Sequence, residues 1–335
     1  MLYPRRHIIA GLAAVCTGLR VPAQAQQPKT ASSTLVFGLI SPRAPDETRA
    51  NWEPFVKRLG LAVGQTMELR VYTSQGDIVK AFAAGEMDIA WMGNVPALDV
   101  VESGAGEIFA QMVAQDGSVG YKSILVAHHG VTADSLDQVL QQAKSLRFSD
   151  GDPKSTSGYL VPLYFAFHKS GINNAQAIFK SVEVGSHQQN LTKLAQGTVD
   201  IATANNEELA FFQRDFPDMA RKLKVVWESP LIPQSPLLWK SSLPPDLKKA
   251  IQKFVTGFGA SKPEEQRILL AVNGLSRFRP SSNRQLVPIA DLEMFKTRQA
   301  IDNDKTQSAS DRQQRINAAI ERGSRLELRL KRISP

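Results

Sequence analysis

The chain predicts an α/β fold in two lobes, and three observations predict it. Short apolar runs alternate with amphipathic helical segments over most of the length, the pattern of sheets covered by helices. A six-residue pattern, Gly85-Glu-Met-Asp88-Ile-Ala90, recurs as Gly197-Thr-Val-Asp200-Ile-Ala202, each time after a helical segment. The length of 335 residues exceeds one average domain, so two units of roughly 100–150 residues are the natural division.

The first 25 residues stand apart from the fold. Arg5 and Arg6 precede a short apolar run over 8–19, and Ala23-Gln24-Ala25 is a small-x-small cleavage site. This is the layout of a secretory signal peptide, too short to span a membrane. The arginine pair partly fits a twin-arginine signal, but Pro4 stands where a Ser or Thr is usual, so Sec and Tat export both stay open. Val15 before Cys16 is a poor fit for lipoprotein processing. Cleavage after Ala25 removes Arg5, Arg6 and Arg20, taking the net charge from +8 to +5, and removes the one cysteine. A mature chain without thiols suits an oxidising compartment without disulfides. No later apolar stretch approaches the roughly 20 residues of a membrane span. The expected location is the periplasm, or its equivalent outside the membrane.

After a polar leader over 26–33, residues 34–40 form a near-continuous apolar run, which predicts a strand buried on both faces. Residues 46–61 read as an amphipathic helix, 67–72 as a strand and 76–84 as a helix. Each copy of the repeat then offers Gly at a helix end, where positive φ closes the last turn before a short strand. Further strands are predicted at 123–127, 146–149, 181–184, 199–202 and 223–227, and the alternation predicts parallel sheets with helices on both faces. Pro230, Pro233 and Pro236 mark a crossover or hinge. Apolar residues at helical spacing over 308–333 predict a C-terminal helix. The division that follows is lobe 1 over 34–127 plus 233–301, lobe 2 over 128–232, and a helical extension over 302–335.

Several function classes lack their signatures. There is no P-loop, no G-x-S-x-G elbow and no H-E-x-x-H pair. His128 and His129 are strand-end neighbours that point apart, so they read as surface residues and no metal is expected. Residues 302–335 carry eight Lys/Arg against five Asp/Glu, which leaves the body near neutral and without the basic, aromatic face of a nucleic-acid reader. No cofactor and no catalytic residue are predicted.

One segment does carry a binding signal. Asp152-Pro-Lys-Ser155-Thr156-Ser157-Gly158 joins a strand to a helix predicted over 159–169. A helix start offers unpaired N–H groups and partial positive charge to an anion, and three hydroxyls add donors. Lys154 is the loop's one fixed charge. The structural alternative is that one hydroxyl serves as the N-cap. His187 opens the helix before the second repeat and can donate a neutral N–H. Glu207 follows that repeat at a further strand-to-helix turn, where an acid also suits the helix dipole. Tyr121 suits either a cleft or a core.

These residues carry a resemblance to a known family. The stretch Gly151-Asp-Pro-Lys-Ser-Thr-Ser-Gly-Tyr-Leu-Val-Pro162 resembles the phosphonate-binding proteins of ABC importers. So do Gly93-Asn94, Gly106-Glu-Ile-Phe-Ala-Gln111, Asp116-Gly-Ser-Val-Gly-Tyr121, Trp227-Glu-Ser-Pro-Leu-Ile-Pro233, Arg279-Pro-Ser-Ser and Gln285-Leu-Val-Pro-Ile289. The similarity runs collinearly from about residue 35 to 300. It implies a two-lobed type II periplasmic solute-binding fold with a hinge between lobes, a non-enzymatic chain, an ABC transporter permease as partner and a small phosphonate anion as ligand. It further implies that Ser155, Thr156, Ser157 and His187 hold the phosphonate oxygens, that Tyr121 lines the ligand, and that Glu207 sits where acids hold the amino end of 2-aminoethylphosphonate. Two positions depart from the family's best-known aminophosphonate binder. Ser235 stands in place of an Asp and Gln75 in place of a Tyr, which alters the side-group pocket and leaves another alkyl- or aminophosphonate, phosphite or a phosphate ester open as ligand, or a sensor role. The family's C-terminal extension also implies a homodimer through the helix over 308–333.

Overall fold

In the computed structural model of the protein, residues 34–331 are described. The predicted signal peptide, its cleavage site, Cys16 and Ile333 lie outside them. Among the described residues no helix is long and apolar enough to cross a membrane.

The first sheet gathers β1 (Thr34–Ile40), β2 (Thr66–Tyr72), β3 (Ile89–Trp91) and β4 (Gly106–Ala114). A two-stranded ribbon pairs β5 (Gly120–Tyr121) with β11 (Ile232–Pro233). Between them in sequence come β6 (Ser123–His128), β7 (Arg147–Asp150), β8 (Ser181–Val184), β9 (Ile201–Asn205) and β10 (Leu223–Glu228). The chain then returns through β12 (Pro236–Lys240) and β13 (Leu275–Pro280) to the first sheet. Strand order is β13-β4-β12-β3-β1-β2 in one sheet and β10-β6-β9-β7-β8 in the other.

Apolar periodicity explains the first lobe. β1 buries Phe37 and Leu39 on one face and Ile40 on the other, as its continuous apolar run predicts. The helix Pro45–Val63 buries Trp52, Phe55, Val56 and Leu59, one stripe at helical spacing. It starts on proline and stops at Gly64, whose φ of 67° only glycine adopts freely. Phe55 meets Phe254, Phe258 and Phe278 with ring centroids 5.1–5.8 Å apart, and the fully buried rings of Phe55, Phe258 and Phe278 contribute about 1.5–3 kcal/mol each. In the second lobe β6 alternates, with Ile124 and Val126 in one core and Leu125 and Ala127 in another.

The repeat has a common structural job. Gly85 and Gly197 take φ of 79° and 71°. Asp88 Oδ2 accepts the Val36 N–H at 2.9 Å, and Asp200 Oδ2 accepts the Arg147 N–H at 2.8 Å. In each lobe an aspartate therefore fastens the start of the central parallel strand. The orders β3-β1-β2 and β9-β7-β8 correspond.

Three expectations need correction. The sheets are mixed: β1–β2, β1–β3, β7–β8 and β7–β9 are parallel, whereas β12, β4, β13, β6 and β10 pair antiparallel. Strands that enter from the other lobe are not joined by a βαβ crossover, so nothing imposes a parallel direction on them. Second, β6 pairs with β9 and β10, so the lobe boundary placed after 127 moves back to the crossover at 115–122, which runs beside 229–235. Third, the helix over 159–169 is π-helical at Thr156–Leu160 and Leu163–Phe167 and ends in a 3-10 turn, His168–Ser170. Pro162 has no N–H for the Gly158 carbonyl, which accepts from the Gly151 N–H at 3.1 Å instead. The ladder consequently shifts, Leu160 N–H reaching Ser155 O.

The C-terminal helix Ala309–Lys331 folds back on this chain. Leu326 and Leu330 are buried, and Arg322 makes a two-pronged ion pair with Glu102 at 2.7 Å. The homodimer expected of this helix thus loses two apolar anchors to internal packing, while Ile320 and Leu328 stay exposed.

Candidate functional site

All eight residues singled out from the sequence, Gln75, Tyr121, Ser155, Thr156, Ser157, His187, Glu207 and Ser235, line one cavity of about 470 Å³. It lies where strands of both sheets end. The second lobe supplies the loop after β7 and the helices after β8 and β9. From the first lobe come the loops after β1 and β2, and the crossovers add Tyr121 and Ser235.

The hydroxyl loop is built by a close glycine contact. A Cβ on Gly151 would lie 2.6 Å from the Gly158 backbone, so only glycine lets the two strands of the loop meet. Ser155 Oγ accepts the Gly158 N–H at 3.0 Å and is the N-cap. Thr156 Oγ1 accepts the N–H of Val95, from the first lobe, at 2.9 Å. Each oxygen already accepts one backbone N–H, and each hydroxyl keeps its hydrogen to donate. Ser157 Oγ lies 3.1 Å from His187 Nε2. Lys154 is not available to an anion: its Nζ pairs with Asp99, on the first lobe, at 2.7 Å.

His187 stands at the first position of the helix His187–Ala195, fixed by the Ser186–Gln189 capping box. Burial lowers its pKa to about 4, so the ring is neutral at pH 7. Its Nδ1 is buried without a partner. Burial pushes the Tyr121 phenol well up, so it stays protonated, hydrogen-bonded to Ser157 and Asn94. The loop, its histidine and its tyrosine thus form a neutral set rich in donors, suited to an oxyanion.

The other end of the cavity is rich in acceptors. Burial raises Glu207 to about 7, against the Gln234 amide that donates to it. Gln75 Oε1 is buried without a partner at the start of the helix Gln75–Ala83. Ser235 donates its backbone N–H to Gln234 Oε1 at 3.3 Å.

Sequence reasoning missed Arg43. It sits in the loop after β1, lines the cavity and is 9% exposed. The available signal was a lone charge just beyond the carboxyl end of a largely buried strand, where ligands of open α/β sheets bind.

Over residues 37–286 the chain matches the family described as ABC transporter, phosphonate, periplasmic substrate-binding protein. It is 35% identical over 291 residues to the phosphonates-binding periplasmic protein of Escherichia coli K12, covering 87% of this chain and 84% of that one. A solved binding-protein component of an ABC phosphonate transporter from Pseudomonas aeruginosa superposes with a TM-score of 0.81 at 36% identity, covering 90% of this chain and 98% of the other. A Prochlorococcus marinus protein solved with methylphosphonate shares the fold, with a TM-score of 0.72 at 19% identity over 79% of this chain and 99% of its own. The fold is that of the type II periplasmic binding proteins, and the chain belongs to the family of phosphonate-binding periplasmic components of ABC transporters.

Proposed function

We propose that the cavity holds an alkyl- or aminoalkylphosphonate of the size of 2-aminoethylphosphonate, without chemical change, for delivery to the permease. The phosphonate oxygens take the hydrogens of Ser155, Thr156 and Ser157, with His187 and Tyr121 beside them, and the organic group extends toward Gln75, Glu207 and Ser235. The observation that carries this reading is the double use of Ser155 and Thr156, whose oxygens each accept a backbone N–H while their hydrogens stay free to be donated to the ligand. Hydrogen bonds to a charged oxygen contribute about 1.5–3 kcal/mol each. A few of them, less ordering costs, reach the roughly −8 kcal/mol of micromolar binding.

Support for an organic group comes from the volume of about 470 Å³, much more than a bare oxyanion fills. Glu207 supports an amino group on it, because a half-buried acid held near 7 ionises readily beside an ammonium. Binding without chemistry is supported by the Ser157–His187 pair. His187 Nδ1 has no acid to orient it, whereas an activated serine needs a base held by a third group.

Calorimetric titration with methylphosphonate, 2-aminoethylphosphonate, phosphite and phosphate tests the proposal, alongside ³¹P spectra of each mixture. Phosphonates should bind at micromolar affinity or tighter and be recovered intact. If phosphite or phosphate binds more tightly than both phosphonates, the reading of the side-group pocket is wrong.

A further inference from the structure

We propose that Arg43 is a positioning residue that clasps the two lobes shut over the ligand and so sets how long a bound phosphonate is held. The proposal rests on the phosphonate reading for its ligand, but the clasp itself is read from contacts within the protein.

Arg43 belongs to the first lobe and is anchored there. Its Nη1 donates to Glu47 at 3.0 Å and its Nη2 to Asn273 Oδ1 at 2.6 Å. What it presents reaches the second lobe. The guanidinium carbon sits 4.0 Å above the Phe211 ring, and Nε lies 3.3 Å from Glu208 Oε2. Both partners lie on the helix Asn206–Asp215, which follows β9. The side chains of Arg43 and Glu208 are 6% and 7% exposed.

Burial on this scale matters to the equilibrium between open and closed forms. When the lobes part, Arg43 and Glu208 each regain water and Phe211 keeps only Arg214 of its own helix, 4.9 Å from the ring. When they meet, the acid is covered and the guanidinium is its compensation, so the pair favours closure only while both members are present. The two first-lobe acceptors hold the guanidinium in place beforehand, which reduces the ordering cost of the contact. None of this involves the hydroxyl loop. Lys154–Asp99 also spans the lobes, but at 42% and 18% exposure it is open to water and salt, so Arg43 is the better shielded tie.

Contacts made only on closing slow release more than they speed capture. Stopped-flow tryptophan fluorescence should read both rates with methylphosphonate as probe, since Trp91 lines the cavity. Arg43→Ala should raise the dissociation rate about tenfold or more with the association rate within about twofold. Glu208→Gln, a near-isosteric change in the other lobe, should act in the same direction, and the double variant should be little worse than Arg43→Ala alone. Small-angle scattering of the ligand-free proteins gives an independent reading, because loss of the clasp should increase the radius of gyration whatever the ligand is. Unchanged dissociation rates, multiplicative effects of the two substitutions, or identical ligand-free dimensions would each overturn the clasp. A wild type that ignores methylphosphonate would overturn the ligand instead and leave the scattering comparison to decide.

Discussion

Thr156 serves two masters at once. Its oxygen accepts the Val95 N–H across the lobes at 2.9 Å, and its hydrogen is left for the ligand. Thr156→Ala deletes the donor and leaves a buried N–H without its acceptor. Phosphonate affinity should fall tenfold or more, about 1.5–3 kcal/mol, while Thr156→Ser, which keeps the hydroxyl, should stay within about threefold. Titration calorimetry on the two variants checks this, and equal affinities for alanine and wild type would remove Thr156 from the clamp. The same residue shows how far the sequence could be read. Capping and anion binding had been alternatives for the hydroxyl loop. A hydroxyl accepts through oxygen while donating its hydrogen, so Ser155 does the first without being barred from the second. Lys154 shows the opposite case, because its partner Asp99 lies in a distant segment that no local pattern points to.

At the level of elements, local periodicity was a good guide and long-range pairing was not. The strand over 34–40 and the strand over 181–184 have the bounds their apolar patterns predict. Both repeat glycines sit where a helix must stop. What periodicity could not give is direction, since whether a strand pairs parallel depends on where the chain has been, and β6 came from the other lobe. The π-helical run is likewise set by a tertiary contact, Gly151 N–H taking the Gly158 carbonyl. The repeat aspartates join the local and long-range levels, and one prediction belongs to them. Asp88→Ala strips the acceptor from Val36 N–H at the start of the central strand. It should lower stability by about 1–3 kcal/mol, seen as an earlier midpoint in urea unfolding. The hydroxyl loop lies on the other lobe, so phosphonate affinity should change less than about twofold. A large loss of affinity at unchanged stability would show that the aspartate does something other than hold the strand.

For the whole molecule the shielded ionisable groups matter as a set, gathered from three separate stretches of the second lobe and so invisible to any local reading. Asp150, a buried acid at the end of β7, is raised to about 7, and Glu207 is raised to about 7, in both cases chiefly by burial. Burial raises Glu208 as well, while Arg43 opposes the shift. His187 is lowered to about 4. A raised carboxyl contributes stability that is fully present below its unfolded pKa of about 4 and is lost as pH rises through 7. A lowered imidazole works the other way, its contribution being present above about 6.5 and lost as pH falls toward 4. Across pH 5 to 7 the three acids outnumber the one histidine by two, so the ligand-free protein should become less stable as pH rises, by roughly 2 kcal/mol per pH unit. Thermal melts between pH 5 and 8 read this directly. Glu207→Gln removes one of the acids while keeping an oxygen for Gln234, and its melting temperature should fall less steeply over the same range. A wild-type melting temperature that climbs from pH 5 to 8 would mean that these acids are hydrated in solution, and with Glu207 and Glu208 the cleft that the clasp is meant to close.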